Sequence, residues 1–86
     1  MSVGEEARDV RLKRMRMRAG RRGIREMDLI LAAFADREMA GMSGAELDAF
    51  ERLMEQNDQD LYSWVSGQTT APEAHAELVA RIRAGL

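Results

Sequence analysis

Apolar residues recur along most of the chain at spacings of three and four, with polar residues between them, the pattern of helices that each bury one face. Leu12, Met15 and Ala19 form a narrow stripe that predicts a first helix over residues 6–19. Acidic Glu5, Glu6 and Asp9 gather at its start and basic residues at its end, the order the helix dipole favours. Met27, Ile30, Leu31 and Phe34 predict a second helix over 25–40. Ser43-Gly44-Ala45-Glu46 has the spacing of a capping box and opens a third helix to about residue 56, with Leu47, Phe50, Leu53 and Met54 inward. Asn57 to Asp60 interrupts that helix, and Asp58 is the expected cap of a short fourth one over 61–66, which carries Leu61, Tyr62, Trp64 and Val65. Thr70 or Ala71 is expected to cap a last helix, with Pro72 in its first turn and Leu78, Val79 and Ile82 on its inner face. Gly20, Gly23, Gly41 and Gly67 are placed to stop helices, since glycine accepts the positive φ common at a helix C-terminus. Ala, Leu and Met number 28 against 9 for Val, Ile and Thr, and no run alternates with the period of a strand. The expected fold is all-α, a small bundle of five short helices making a single domain over residues 1–86, with 1–7 a flexible N-terminus.

Composition narrows the chemistry. The absence of cysteine excludes disulfides, thiolate zinc sites and thiol nucleophiles. His75 is the one histidine, too few for the usual metal clusters, and it is expected to be solvated beside Glu73 and Glu77. Glu55, Asp58 and Asp60 lack the glycine and closing glutamate of an EF-hand loop, and the glycines are too scattered to cradle a phosphate. Tyr62 and Trp64, two apart on a helix, point in different directions, with Trp64 expected in the core and Tyr62 partly exposed. The longest apolar runs fall far short of the ~20 residues of a membrane span, so no membrane insertion is expected. Acidic residues interrupt the basic start and no export signal is present, which makes the cytoplasm the expected location. No catalytic residues, no bound cofactor and no metal are expected; the chain suits an interaction module rather than an enzyme.

Charge changes the picture further. The formal net charge is −2, but residues 1–26 hold nine Lys/Arg against four Asp/Glu, and the remainder four against eleven. Such a split suits either an anionic partner or a basic helix folded back on an acidic body. A nucleic-acid module would more often be basic overall and set aromatics among its cations, whereas Tyr62 and Trp64 lie in acidic surroundings. No nucleic-acid partner is therefore expected, and a small Arg-rich nucleic-acid-binding or general protein-interaction module is the alternative reading. The stretch Arg21-Arg22-Gly23-Ile24-Arg25-Glu26-Met27-Asp28 places arginines, a glycine and two carboxylates at one helix–helix corner. By residue chemistry alone the plainer reading is a terminating glycine among surface charges that satisfy one another; the other is a docking point, with arginine forks for carboxylates or carbonyls and a glycine that admits a close backbone.

Arg22-Gly23-Ile24-Arg25-Glu26 resembles the Arg-Gly-x-x-Glu signature of the small succinate dehydrogenase assembly factors, also called flavinylation factors. Glu26-Met27-Asp28-Leu29, Phe34-Ala35, Leu47, Phe50-Glu51-Arg52-Leu53 and the Asp58-x-Asp60-Leu61-Tyr62-x-Trp64 stretch are similar to later landmarks of that family in order and spacing, over about residues 11–83. Two positions depart from it: Ala19-Gly20 where an aromatic commonly precedes the paired arginines, and Gln59 where a proline commonly follows the aspartate. The resemblance implies a five-helix fold and a factor that binds the flavoprotein subunit of succinate dehydrogenase, with fumarate reductase a further candidate client. It implies covalent attachment of FAD to a histidine of that partner, with no FAD bound by the factor itself. On this basis Arg22, Gly23 and Glu26 are expected to dock on the partner. Arg21, Arg25 and Asp28 would supply surrounding charge, and Asp58 and Asp60 complete the expected partner-binding set.

Overall fold

The computed structural model describes residues 3–86, with side chains from Ala7 onward; residues 1–2, part of the stretch expected to be flexible, lie outside it. The helices are α1 (Val3–Ala19), α2 (Arg25–Glu38), α3 (Gly44–Met54), α4 (Asp58–Val65) and α5 (Glu73–Ala84), with a single 3-10 turn at Met39–Gly41. No strand occurs among the described residues. Helix α2 is central in the packing and touches α1, α4 and α5, while α3 lies against α1 and α5.

The spacing of apolar residues translates directly into burial. Met15 and Ala19 of α1, Met27, Leu31 and Phe34 of α2, and Leu47, Phe50, Leu53 and Met54 of α3 are buried together. Leu61 and Val65 of α4 join them, as do Leu78, Val79 and Ile82 of α5. Phe34 and Phe50 meet edge to face at 5.4 Å and 79°, the geometry in which a positive ring edge meets a negative ring face. Arg37 and Arg81 lie over the Phe34 ring at 5.6 and 6.0 Å, so the aromatic centre of the core is roofed by cations.

Helix ends show where local expectation holds and where it fails. The capping box is present: Glu46 N–H donates to Ser43 Oγ at 3.2 Å and Ser43 N–H to Glu46 Oε1 at 3.0 Å. The expected cap Asp58 is instead the first residue of α4. Asn57 is the cap and accepts from the Gln59 N–H at 2.8 Å, which releases the Asp58 carboxylate for other partners. Pro72 is itself the N-cap of α5 rather than part of its first turn, and its carbonyl accepts from His75 N–H at 2.9 Å. Gly67 alone among the described glycines has a positive φ, +84°, and stops α4 in the expected way. Gly20, Gly23 and Gly41 do not use that conformation; α2 gives way at Met39 to the 3-10 turn that contains Gly41.

Two aromatic expectations also change. His75 is half-buried and stacks on Trp64, with ring centroids 5.7 Å apart and planes 22° from parallel. Trp64 packs against the core from its edge rather than inside it. A stacked pair across the α4–α5 turn uses the flat faces of both rings, so neither is left wholly in water nor wholly enclosed.

Arg81 of α5 joins three helices, donating to Glu38 of α2 and Glu46 of α3 at 2.7 Å each. The Arg81 bond is the main cause holding the Glu38 carboxyl below the ordinary value of 4.5, and the Ser43 N–H and then Arg81 do the same for Glu46. Carboxylates with depressed folded-state values stabilise the fold above their ordinary range, and that stability disappears as the pH falls through it. The melting temperature should therefore drop on acidification below pH 4.5. Arg81→Ala should lower it at pH 7 and flatten that acid-dependent fall, as followed by circular dichroism melts between about pH 7 and 3.

Candidate functional site

The five residues between α1 and α2 make a tight corner, and its internal bonds explain its shape. Gly20 and Arg21 donate back to carbonyls in the last turn of α1, so the chain leaves that helix at a fixed angle. Arg22 N–H donates to the Asp28 carboxylate, which folds the corner onto the first turn of α2. Asp28 N–H in turn bonds the Ile24 carbonyl at 3.0 Å and begins the helical ladder. Ile24, at the N-cap position, offers no side-chain cap, so the Asp28 oxygen takes over the work of ordering this N-terminus.

Arg22 then runs inward. Its Nε donates to Asp58 Oδ1 at 2.7 Å, one terminal nitrogen to the Gln56 carbonyl at 2.8 Å, and the other to the Met54 carbonyl. The Met54 carbonyl closes α3, where the last oxygens lack helical partners and carry the negative end of the dipole, and the Gln56 carbonyl lies two residues beyond it. The planar guanidinium suits them because its donors fan out in one fork. Asp58 completes the arrangement with its other oxygen, which accepts from Gly23 N–H at 2.7 Å. The Arg22 and Asp58 side chains are 11 % and 19 % exposed, so this pair is largely shielded from water and worth more than a surface ion pair.

Gly23 has a steric role here. A Cβ on this residue would stand 3.1 Å from Asp58 Oδ2, tighter than an ordinary contact, while the backbone remains exposed on its other side. The bare backbone therefore lets α4 approach and leaves an uncovered peptide surface outside.

The eight residues singled out from sequence thus fall into two sets. Arg22, Asp28 and Asp58 direct their polar atoms into the fold and form one fastening among α2, α3 and α4. Arg21, Arg25, Glu26 and Asp60 are exposed and form no ion pair among the described residues, and Gly23 lies at the surface between the two sets. Leu29, four residues beyond Arg25 and three beyond Glu26, is 61 % exposed and puts an apolar side chain beside them on α2. Its place off the Met27, Ile30, Leu31 and Phe34 stripe was a visible sign of this exposure. The inward partners of Arg22 carried no such sign, because two of them are backbone carbonyls.

The fastening should be measurable by itself. Asp58→Ala removes the bonds to Arg22 and Gly23 and should destabilise the domain by about 2 kcal/mol. That loss corresponds to a melting temperature lower by about 10 °C for a chain of this size. Asp58→Asn, which keeps an acceptor for Gly23, should lose less in the same thermal melts, and equal losses would argue against the double bond.

Residues 13–85 match the family described as the flavinator of succinate dehydrogenase. The chain is similar to succinate dehydrogenase assembly factor 2, mitochondrial, of Debaryomyces hansenii, with 39 % identity over 61 residues, covering 71 % of this chain and 43 % of that protein. The corresponding factor of Mycosarcoma maydis is 36 % identical over 67 residues, 78 % of this chain and 28 % of the relative. The FAD assembly factor SdhE of Legionella pneumophila is 36 % identical over 63 residues, 73 % of this chain and 80 % of the relative. The chain therefore spans less than half the length of these two mitochondrial relatives and most of the bacterial one. With 73 of its 86 residues inside the family match, the chain belongs to the family of succinate dehydrogenase flavinators.

Proposed function

We propose that this chain is an assembly factor that binds the flavoprotein subunit of succinate dehydrogenase and promotes the covalent attachment of FAD to that subunit, with fumarate reductase a further client. The observation that carries this reading is the corner: an exposed Arg21, Gly23, Arg25 and Glu26 on a backbone pinned from behind by Arg22, Asp28 and Asp58. A surface held in one shape loses little conformational entropy on docking, so more of its contact energy is available to act on the partner.

The flavin bond forms within the partner, and this chain acts by position rather than as an enzyme. A ligand that binds the flavin-aligned arrangement of a flexible partner more tightly than the others raises the population of that arrangement. Alignment of reacting groups by itself contributes several kcal/mol, about 7–11 in favourable cases, to lowering a barrier. Exposed Glu26 and Arg25 present opposite charges side by side, which fixes orientation on a complementary surface, and Leu29 adds an apolar contact next to them. No helix among the described residues is long and apolar enough to cross a membrane. A cytoplasmic site of action is part of the same proposal, supported by the likeness to an FAD assembly factor of a bacterium.

Glu26→Ala should leave the fold within about 0.5 kcal/mol of the original, because the side chain forms no ion pair among the described residues. The same variant should lower covalent flavin on the partner subunit at least tenfold when the two proteins are produced together, as read by in-gel flavin fluorescence. Gly23→Arg should lose both flavinylation and stability, since its Cβ crowds Asp58. Leu29→Ser should weaken binding about tenfold, the value of partly burying one leucine. Normal flavinylation by well-folded Glu26→Ala would refute the docking role of the corner.

A further inference from the structure

The arginines of α1 divide by direction. Arg8 donates to the Met42 and Ala40 carbonyls at 2.8 and 3.2 Å. Arg11 binds Asp48 at 2.5 Å and Glu51 at 3.0 Å, and Arg16 binds Asp36 at 2.5 Å. These bonds explain why the Arg11 and Arg16 guanidinium groups have raised pKa values and why Asp36 titrates below its ordinary range. The other arginines point away. Arg14, Arg18 and Arg21 are exposed and take part in no ion pair among the described residues. They surround Met17, 53 % exposed, and with Arg22 they line a cleft of about 290 Å³. Val10, one heptad before Met17, is 61 % exposed. At 100° per residue Val10, Arg14, Met17 and Arg18 share an arc of about 100° and a length of about 12 Å on α1, with Arg21 in the corner just beyond the end of the helix.

We propose that this arginine–methionine face of α1 is a second docking surface, for an acidic protein patch with apolar points, on the same flavoprotein that the Arg21–Glu26 corner engages; the inference rests on that functional reading. Two observations favour this occupant. The cleft runs into the corner through Arg21 and Arg22, so a partner seated on the corner reaches Arg14 within one further helical turn or two. The charge of Arg14, Arg18 and Arg21 is also left unpaired within the fold, where the carboxylates that reach α1 and the corner from α2, α3 and α4, Asp36, Asp48, Glu51 and Asp58, are bound to Arg16, Arg11 and Arg22. A second copy of the chain, whose exposed Glu26, Glu55, Asp60, Glu73 and Glu77 form no ion pair among the described residues, is the competing occupant that the self-association arm of the test separates. Nucleic acid is disfavoured because no aromatic side chain lies on the face for bases to stack on, Trp64 being packed on His75 at the α4–α5 turn.

Charges at such a periphery act mainly on encounter rate and are screened by salt. The test compares the original chain with the double variant Arg14→Glu/Arg18→Glu, and with the milder Arg14→Gln/Arg18→Gln, by surface plasmon resonance on apo-flavoprotein subunit from about 50 to 500 mM NaCl. The expected result is an association rate at low salt reduced at least tenfold by the Glu pair and less by the Gln pair, converging with the original at high salt, with dissociation changed less than threefold. Flavinylation should recover at saturating concentrations of the variant, which Glu26→Ala should not do. Association by the original with no effect of either variant would overturn the second surface and leave the corner reading intact. No association by the original chain would instead strike the functional reading. Loss in the Glu pair of self-association, of binding to a duplex oligonucleotide, or of binding to phosphatidylserine vesicles, with flavoprotein association unchanged, would assign the face to that other occupant and overturn the inference.

Discussion

The Arg22–Asp58 pair is the constraint on which the proposed docking surface depends. One guanidinium closes the C-terminal end of α3, one carboxylate holds both that guanidinium and the Gly23 backbone, and the corner between α1 and α2 is fixed as a consequence. An arginine at this place performs two tasks that a lysine could not combine. Its fork reaches two carbonyls and a carboxylate at once, and its charge offsets the negative end of the α3 dipole. The price of such shielding is desolvation of both ions, which is tolerable because each polar atom finds a partner; no buried side-chain nitrogen or oxygen among the described residues goes without one.

The same economy runs through the rest of the charge distribution. A third of the residues are charged, yet the acidic body and the basic first helix are drawn together at a few defined points. Arg11 and Arg16 flank the buried Met15–Ala19 stripe and bind acids of α2 and α3, while Arg81 ties α5 to both of those helices. Each is an arginine, able to hold two acceptors in a plane, at a seam where two helices meet. In a chain this short, where the core is limited, such seams fix helix orientation as much as strength.

Within the proposed function, the corner acts as a rigid adaptor surface. The signature motif is best understood as two layers. Arg22 supports the motif from within, whereas Gly23 and Glu26 face outward, so mutations within five adjacent residues should act through different physics. Asp58 belongs to the same unit although it lies 36 residues from Arg22. Its appearance in the later Asp-x-Asp stretch is thus explained by the corner it supports and not by capping, which Asn57 performs.

Helix number, helix order, the buried face of each helix and the Ser43–Glu46 capping box were all legible in the sequence, because they depend on interactions within four residues and on a period of 3.6. The boundaries shifted where two adjacent polar residues competed for one role, as Asn57 and Asp58 did, or where proline took the cap itself. The short motif marked the corner, but it could not say which of its charges face out. That division was decided only when packing brought the end of α3 and the start of α4 against the corner, since an arginine's partners include backbone carbonyls that every sequence possesses and none advertises. Local periodicity specified the helices; long-range proximity chose the partners of Arg22 and left Glu26 at the surface.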